Sequence, residues 1–477
     1  MNNTTLHFMR GRLSFVLLFV ISWSYSQISY STYHQKNNTS KLHFNPVLFV
    51  ADSITKHIDI QSFALETNLN FRYSDLIQKG TGNLADSLVL DFNRFRKALE
   101  NKNYLDISGE VLLVQFGFVR TANQYKIDKK IDTKSSSSYY GFGVRQRAKG
   151  GISFDRNYIE LLTQGNGPFY DQNFSTGHAR INSSVYSELS ATYAREINNK
   201  LWLGLRLKYL LGGFNITTNK LSLSLNGNEL DNEVVIGAQA DIRVSGPIEF
   251  TLDAYDLVDE ISVDSTNQIF STDNPGCAVD LGLVYTVTPK LVLSAAVTDI
   301  GQIRWKNDVK QLTLDTTYRY TGTDFSDSID DQADNYKSPE DVLDELKEDI
   351  KNEFSFQLTD DSYTEKLPYT ISMGAEFRLL KNLDFGAMYA HYSAPYYKRD
   401  TYAFSANLGI RNALSLSPTM MIVGGDTVWA CAAAFRFGPL QFHMAINDFG
   451  GIVTPADAQG IGIQMGMSYV FPFSSIK

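Results

Sequence analysis

The residues that come closest to a catalytic pattern are His391 and Ser393, two positions apart in the segment His391-Tyr392-Ser393. A histidine can take the proton of a serine hydroxyl, and residues two apart in a β-strand project from the same face. The pair would suit a lipid hydrolase working at a membrane surface. However, the sequence fixes no Asn or Asp partner for His391, and no oxyanion or calcium-binding element can be located. We therefore expect His391 to be a polar residue of a membrane interface.

Sequence motifs for other enzyme chemistry are absent. His178 and His443 are isolated, and neither has the spacing of a metal ligand. The sequence contains no CxxC pair, no HExxH and no glycine-rich phosphate motif. Cys277 and Cys431 lie in separate predicted strands with both sulfurs facing outward, so we expect no disulfide between them. We predict no catalytic residue, no cofactor and no metal site, and hence no enzyme.

Charged residues of both signs recur at alternate positions of otherwise apolar segments. In the wall of a membrane barrel, this parity places them toward the lumen. Strand pairing across the turn at 197–200 puts Glu188 opposite Lys208 or Arg206, which predicts an ion pair inside the barrel. Such pairs either neutralise one another and fill a narrow interior or line a polar conduit. The candidates that face the lumen are Glu188, Arg206, Lys208, Asp280, Glu376, Arg378, Asp384 and Arg436.

The segments that carry these charges alternate between apolar and polar residues, which is the pattern of a membrane β-strand. In 201–211, the leucines at odd positions and Tyr209 share one face, while Arg206 and Lys208 share the other. The same alternation occurs in 277–285, 371–377, 383–389 and 461–471. Beyond Trp23 there is no uninterrupted apolar run of about 18 residues, which excludes a helical membrane protein.

The connections between predicted strands fall into two groups, as in barrels with short periplasmic turns and long external loops. Short turns and long loops alternate along the chain only if 201–225 is one bent strand, kinked at Gly212-Gly213 and followed by an external turn at 226–228. We predict an all-β fold: a transmembrane antiparallel β-barrel of about 14–16 strands with long external loops and a short helical insert. The short turns are 197–200, 245–247, 288–290, 380–382, 411–413 and 438–439; the long loops lie near 151–179, 257–274, 304–366 and 447–459.

The two ends of the chain predict its location. Residues 1–26 have the anatomy of a secretory signal peptide, with a basic start, the apolar run 13–23 and a cleavable Ser24-Tyr25-Ser26. Residues 27–56 lack strand periodicity and are predicted to form a periplasmic or lumen-plugging lead. The barrel is assigned to 57–473, and its aromatic last strand is the feature that barrel-assembly machinery recognises. We expect the outer membrane of a Gram-negative bacterium.

Acidic residues concentrate in one predicted external loop, 304–366. Between 324 and 353, 12 Asp or Glu stand against three Lys, which accounts for the whole net charge of −9. Within this loop, 338–354 predicts a helix with Ser338 as N-cap. It either binds the divalent cations that bridge lipopolysaccharide, binds a basic partner, or rests on the barrel rim as a solvated helix. A shorter helix is predicted at 91–101.

From about Leu42 to Phe473 the chain resembles an uncharacterised Bacteroidetes family of outer-membrane barrels. The likeness rests on strand and turn segments such as Val279-Asp280-Leu281-Gly282 and Thr298-Asp299-Ile300-Gly301. The family is similar in general appearance to PorV-like accessory proteins of type IX secretion and, more remotely, to FadL-type transporters. The resemblance implies a transport or secretion-associated barrel without enzymatic activity. Where related sequences carry an Asp-Asn pair near the last external loop, this chain has Asn447-Asp448.

Two functions from different classes remain open. The barrel could be a conduit for a small hydrophobic solute, plugged by the lead and by the excursion 76–106. Alternatively, it could be a structural or partner-binding surface barrel whose closed interior conducts nothing. The expected partners are the outer membrane with its lipopolysaccharide, the barrel-assembly machinery, and either a secretion partner or a hydrophobic solute. Nucleic acid is not expected, because no basic face is present.

Overall fold

Fourteen antiparallel strands form a closed barrel, which confirms the predicted fold class. The computed structural model describes residues 30–472 except 37, 50–53, 81–86, 123–135, 166–172, 178, 229–232, 253–257, 264–271, 322–337, 339–340, 342–343, 345–347, 350–352, 355 and 411–412. The predicted signal peptide lies outside the described residues. The wall strands are β1 (Ile54–Leu69), β2 (Lys102–Ala122), β3 (Ser136–Asp155), β4 (Arg180–Asn198), β5 (Leu201–Asn228), β6 (Asn274–Thr288), β7 (Leu291–Trp305), β8 (Tyr369–Leu380), β9 (Leu383–Ser393), β10 (Lys398–Ile410), β11 (Leu414–Val423), β12 (Asp426–Phe437), β13 (Leu440–Ile446) and β14 (Gly462–Pro472).

The seam of the barrel joins the first strand to the last. β1 pairs with β2 on one side and with β14 on the other, from Ile54 opposite Pro472 to Glu66 opposite Gly462. Closure satisfies backbone groups that an open sheet would leave at its edge. The first strand begins at Ile54, slightly before the position 57 assigned from the sequence. Within the described ranges, no helix combines the length and apolar composition that a bilayer span requires.

The two ends of the barrel differ in the length of their connections. At one end, here called the turn end, short hairpins join β4 to β5, β6 to β7, β8 to β9, β10 to β11 and β12 to β13. At the other end, the loop end, long segments join β1 to β2, β3 to β4, β5 to β6, β7 to β8 and β13 to β14. Five of the six predicted short turns are therefore found at the turn end, although 411–412 of one of them lie outside the described residues.

The sixth predicted turn, at 245–247, was wrongly placed. Strand 233–245 pairs with the outer half of β5, where Asn215 lies opposite Ser245, and it does not cross the wall. The inner half of β5 pairs instead with β6. Alternation in 233–245 indicates a strand with one covered face, but it cannot distinguish a wall strand from a sheet above the wall. The wall consequently has 14 strands, within the predicted range of about 14–16.

β5 is one continuous strand of 28 residues, as the alternation of turns and loops predicted, but the predicted external turn at 226–228 is wrong, because these residues pair with 233–235 as part of the strand. Its predicted kink is a β-bulge: Val185 lies opposite Phe214 and Tyr186 opposite Gly212, which leaves Gly213 unpaired. Beyond the bulge, the strand continues past the barrel into a second sheet. This outer sheet contains the outer half of β5 and the strands Glu233–Ser245, Val309–Tyr320 and Gln357–Thr359.

Short elements decorate the loop end. The helix predicted at 91–101 is observed at 92–98, where Asp91 accepts a hydrogen bond from the Arg94 amide at 2.9 Å and Phe95 is buried. The helical period of 91–101 places Phe92 on the same side as Phe95 and Leu99, but Phe92 is exposed. The remaining strands are Ile77–Lys79, Leu88–Leu90, Asn173–Ser175, Ile248–Leu252, Val258–Val263 and Tyr363–Lys366; the helices are α1 (Tyr73–Leu76), α2 (Phe92–Ala98), α3 (Arg156–Gln164) and α4 (Phe449–Val453), with 3-10 turns at Tyr30–Thr32, Thr39–His43 and Pro455–Asp457.

Most of the predicted acidic helix 338–354 lies outside the described residues. Its described start has the predicted cap, since Ser338 Oγ accepts from the Asp341 amide at 3.1 Å and Asp341 Oδ2 accepts from the Ser338 amide at 3.1 Å. At its other end, the rings of Phe354 and Tyr318 are 6.2 Å apart. The described end of this segment therefore contacts the outer sheet.

The outward face of the wall is apolar. Leu207, Met373 and Trp429 are 54%, 54% and 60% exposed, and neighbouring strands present similar side chains. Cys277 and Cys431 lie on this face and are both free thiols. A closed wall that buries polar residues and exposes large apolar ones is inverted relative to a soluble protein.

Candidate functional site

Residues 30–49 fold inside the barrel as a plug, and the described side chains are almost all buried. The described residues of the plug form no strand. Their backbone forms the 3-10 turns Tyr30–Thr32 and Thr39–His43, and Asn38 caps the second turn by accepting from the Ser40 amide at 2.9 Å. Hydrogen bonds within these turns satisfy some of the buried backbone groups, and the wall supplies partners for others.

Neutral side chains attach the plug to the middle strands of the wall. The Tyr33 hydroxyl lies 3.0 Å from Ser294 Oγ. Asn45 Nδ2 donates to the carbonyls of Leu283 and Ala295 at 3.2 and 3.1 Å. Hydrogen bonds of this kind each contribute roughly 1 kcal/mol net, so the plug is held by many small contributions and, apart from the chain connection to β1, by no covalent bond to the wall.

Two of the sequence-predicted acids contact the plug. His34 Nδ1 lies 3.7 Å from a carboxylate oxygen of Glu376, and Lys36 forms an ion pair with Asp384. Both carboxylates project into the lumen near the turn end, from β8 and β9. The plug thus places a cation, Lys36, and a histidine against two carboxylates of the wall.

A second set of contacts holds the middle of the plug. Arg206 Nη2 donates to the Leu42 carbonyl at 2.8 Å. Thr39 Oγ1 donates to Asp59 at 2.6 Å, and the same carboxylate lies 3.0 Å from His57 Nδ1. These wall residues come from β1 and β5, while Glu376 and Asp384 come from β8 and β9. The plug therefore bridges strands on different sides of the lumen.

Beside the plug, a buried network of ion pairs crosses the lumen. Asp299 Oδ1 accepts from Arg147 at 2.7 Å and from Lys208 at 2.6 Å. Arg147 also donates to Glu188 at 3.1 Å, and Lys208 lies 3.8 Å from the same carboxylate. These four residues come from β3, β4, β5 and β7, so the network ties non-adjacent strands together.

The network continues toward the plug through Arg206 and Glu110. Arg206 Nη1 donates to Asp280 at 3.1 Å, and Lys208 lies 2.8 Å from the other oxygen of Asp280. Glu110 accepts from Arg147 at 3.0 Å and lies 2.9 Å from His43 of the plug. Cations and carboxylates alternate throughout, which compensates the cost of removing each charge from water. The described part of the lumen at this level is filled by side chains.

The sequence predicts correctly that Glu188 faces the lumen, but the residue predicted to lie opposite it on β5 is wrong. Glu188 lies opposite Leu210, and Lys208 lies opposite Ser190, because an irregularity next to the β4–β5 turn shifts the two strands. Glu188 and Lys208 remain diagonal neighbours and still form an ion pair.

The remaining two predicted lumen charges lie outside the network, at the turn end. Arg378 is half-exposed, and its Nε is 3.7 Å from Asp384. Arg436 donates to the backbone carbonyls of Gly438 and Val470 at 2.9 and 2.8 Å. Both therefore stabilise the rim of the barrel and not its centre.

On the opposite side of the lumen, β9 to β13 present mostly small side chains, some apolar and some polar. Several of the apolar ones belong to one cluster with Tyr30 and Phe49 of the plug. Polar side chains of the same strands, such as Ser405, Thr419 and Gln441, are buried beside them. The lumen consequently has two different walls, one rich in ion pairs and one of small, mostly uncharged side chains, with the plug between them. The buried apolar residues of this second wall include Met388, Ala390, Ala403, Met421, Ala430, Ala432, Ala434 and Ala445.

The sequence profile of DUF5723, a family of unknown function, matches residues 50–447. The chain belongs to this family. The matched range covers thirteen of the fourteen wall strands and excludes the plug and β14. No curated protein matches the sequence.

Several solved barrels are similar in architecture to this DUF5723 protein. The toluene transporter TbuX of Ralstonia pickettii has a TM-score of 0.41 at 11% identity, over 91% of this chain and 94% of its own. A FadL homologue of Pseudomonas aeruginosa has a TM-score of 0.42 at 10% identity, over 94% and 100%. The translocator domain of the autotransporter NalP of Neisseria meningitidis has a TM-score of 0.29 at 7% identity, over 87% and 88%. These values describe a similarity of architecture alone. The toluene in the description of TbuX refers to that protein.

His391 of the DUF5723 barrel has a partner that the sequence did not reveal. Its Nδ1 lies 2.8 Å from Asp400 on β10, and the same carboxylate accepts from the Tyr389 hydroxyl at 2.7 Å. Asp400 lies opposite His391 across the β9–β10 pair. In the part of the chain that the structure describes, Ser393 makes no hydrogen bond to His391, so the catalytic arrangement is incomplete. Within the same ranges, no group of three or more His, Cys, Asp or Glu could hold a metal ion.

Proposed function

We propose that this chain is an outer-membrane transport barrel for a small hydrophobic solute, closed at rest by its own N-terminal plug. On this proposal, residues 1–26 are a signal peptide, the turn end faces the periplasm and the loop end faces outside. The apolar outward face supports the location, because a bilayer is the environment that favours such a surface on a closed barrel.

The observation that carries the proposal is the plug itself. Residues 30–49 are not part of the wall, and their described side chains are buried within the lumen. A permanently closed barrel could fill the same space with side chains from its own strands. A separate, non-covalently held segment is the arrangement that permits opening.

The wall that the plug covers supports a hydrophobic solute. If the plug withdraws, the alanines and methionines of β9 to β13 lose their apolar cover, while the ion-pair network stays in place on the other side. A path lined by small, mostly uncharged side chains, these alanines and methionines among them, favours small neutral molecules over ions. We propose no catalytic activity for this path.

A partner-binding barrel is the second candidate, and the outer sheet favours it. Within the described residues, the outer part of 309–320 pairs with 233–245 on one side only. Such an edge accepts an added strand from another protein. On this alternative, the barrel is a secretion-associated protein of the PorV kind in a Bacteroidetes outer membrane, and lipopolysaccharide surrounds its loop end.

Planar-bilayer recordings on three forms of the protein separate the two candidates. The forms are the wild type, a deletion of residues 30–49, and Val47→Cys with Gly204→Cys in a background where Cys277 and Cys431 are alanine. A Cβ added at Gly204 would touch Val47, so two cysteines there are close enough to bond across the plug and wall. Both native thiols lie on the outward face, away from this position.

We expect brief openings in the wild type, a steady conductance after deletion, and no openings in the oxidised double-cysteine form. Reduction of the disulfide should restore the wild-type openings, which makes the reduced protein its own control. If the deletion variant folds and conducts nothing, the ion-pair network closes the lumen without the plug. Transport would then be excluded in favour of the partner-binding candidate.

A further inference from the structure

A small cavity opens at the loop end beside the seam, and the proposed transport path does not use it. Its volume is about 100 Å³. The outer end of β1, the β11–β12 hairpin and the segment after β13 enclose it. Among its described lining residues, every charged side chain is acidic: Glu66, Glu100, Asp426 and Asp448. We call this cavity the outer acidic pocket.

Two buried acceptors in the wall of the pocket have unused hydrogen-bonding capacity. Asn447 is 7% exposed and Glu66 is 6% exposed. In the described ranges, Asn447 Oδ1 makes no hydrogen bond, and Glu66 Oε2 has no partner within 3.5 Å, although the Asn68 side chain lies near this carboxylate. The other oxygen of Glu66 lies 3.7 Å from Arg399, so the carboxylate is partly balanced from below. A buried acceptor without a donor costs about 1–3 kcal/mol, and a bound donor at this position would recover that energy.

The other walls of the pocket are apolar or aromatic. The Tyr104 ring stands on one side, and Met421, Val423 and Val428 form much of another. A ligand that fits this combination has a compact donor-rich cationic head and a short hydrocarbon body. We propose that the outer acidic pocket binds an organic ammonium ion.

Geometry favours an ammonium group over a metal ion. Calcium requires six to eight oxygens converging at about 2.3–2.6 Å, and in the described part of the chain no three acidic, histidine or cysteine side chains come close enough to hold a metal. An ammonium group donates three separate hydrogen bonds. Acceptors spread around the pocket, such as Asn447, Glu66 and Asp448, match that need. The site stands whether or not the barrel transports a solute.

The test uses the full-length protein in detergent and n-butylammonium chloride at neutral pH. Saturation-transfer NMR reports binding, and n-butanol serves as the neutral probe of the same shape. We expect butylammonium to bind saturably and butanol not to. The double variant Asp426→Asn with Asp448→Asn should weaken binding at least threefold, whereas Asp361→Asn, which removes an exposed acid elsewhere at the loop end, should leave it unchanged.

A third variant tests the buried acceptor. Asn447→Asp keeps the size of the side chain and adds a charge, so it should tighten butylammonium binding at least threefold. Equal binding of butanol, unchanged binding in the double variant, or displacement of butylammonium by stoichiometric calcium would each overturn the proposal. Boiled and unboiled samples compared by gel migration show that every variant still forms the barrel.

Discussion

At the scale of single residues, Asp299 determines the charge balance of the lumen. It accepts hydrogen bonds from Arg147 and Lys208, and its second oxygen lies 3.4 Å from Lys149. Its own backbone amide donates to Asp280 at 2.8 Å. One buried carboxylate is therefore shared by three cations.

Removing this charge should destabilise the barrel strongly. We predict that Asp299→Asn lowers the free energy of unfolding by about 3–5 kcal/mol, because three buried cations lose their common partner. Urea unfolding in liposomes, followed by tryptophan fluorescence, measures the change. Asp361→Asn, at an exposed position, should stay within about 0.5 kcal/mol of wild type. Equal midpoints for the two variants would mean that the network does not stabilise the fold.

Parity explains why sequence analysis missed Asp299. Strict alternation in β7 places Leu293, Ala295 and Val297 outward and would place residue 299 outward as well. A β-bulge intervenes between the pairs Val279–Ile300 and Leu281–Val297, and Asp299 adopts a φ of 65° that turns it inward. Alternation along a strand predicts which face of the sheet a side chain is on only where the pairing with the neighbouring strand is regular. One signal in the sequence did point inward: an ionised aspartate is costly on a face exposed to lipid, which argues against an outward Asp299.

At the scale of elements, the plug and the strands it touches form one unit. Glu376 and Asp384 hold the first part of the plug through His34 and Lys36. Their wall neighbours do not depend on these contacts, because both carboxylates project into the lumen from intact β-pairs. The plug should therefore loosen without loss of the barrel.

We predict that Glu376→Gln combined with Asp384→Asn increases the frequency of channel openings in planar bilayers. The ion pairs that anchor the plug disappear, while the network around Asp299 remains. Lys290→Gln, which changes an exposed charge at the turn end, should leave the opening frequency at the wild-type value. An unaltered frequency in the double variant would indicate that neutral hydrogen bonds alone retain the plug.

The sequence predicts where the strands lie better than it predicts which strands pair with each other. Length and alternation identified β5 as one bent strand, and glycines marked its kink at Gly212-Gly213. The same signals did not reveal that β5 has two successive partners, β6 and 233–245, because pairing depends on distant segments. The sequence also did not predict whether residues 30–49 lie inside or outside the barrel. Absence of periodicity excludes a strand, but it does not distinguish a periplasmic linker from a plug.

At the scale of the whole molecule, closure of the wall should give high resistance to detergent. We predict that the protein is found in the outer-membrane fraction and migrates faster in unboiled than in boiled samples on denaturing gels. A closed barrel keeps its backbone hydrogen bonds in detergent until heated. The boiled sample is the control. A single mobility together with a soluble periplasmic location would contradict the membrane barrel.

The number of strands was the whole-molecule property that the sequence left open. Turns and loops limited it to about 14–16, and the pairing of 233–245 above the wall resolved it to 14. The eight predicted lumen charges were drawn from segments with clear alternation. Arg145, Arg147 and Glu110 are also buried in the lumen but were not predicted. Their strands, β2 and β3, alternate with the same parity, so these residues could have been predicted in the same way.

The position of the plug in the chain has a consequence for biogenesis. The plug precedes β1, so on the proposed route of export it would reach the periplasm before any wall strand. Its contacts include Ser294 on β7, Ala387 on β9 and Ser415 on β11, and these strands would arrive much later. Until then, Leu42, Val47 and Phe49 would have no wall surface to cover them. On this proposal, the plug settles only after most of the wall has assembled.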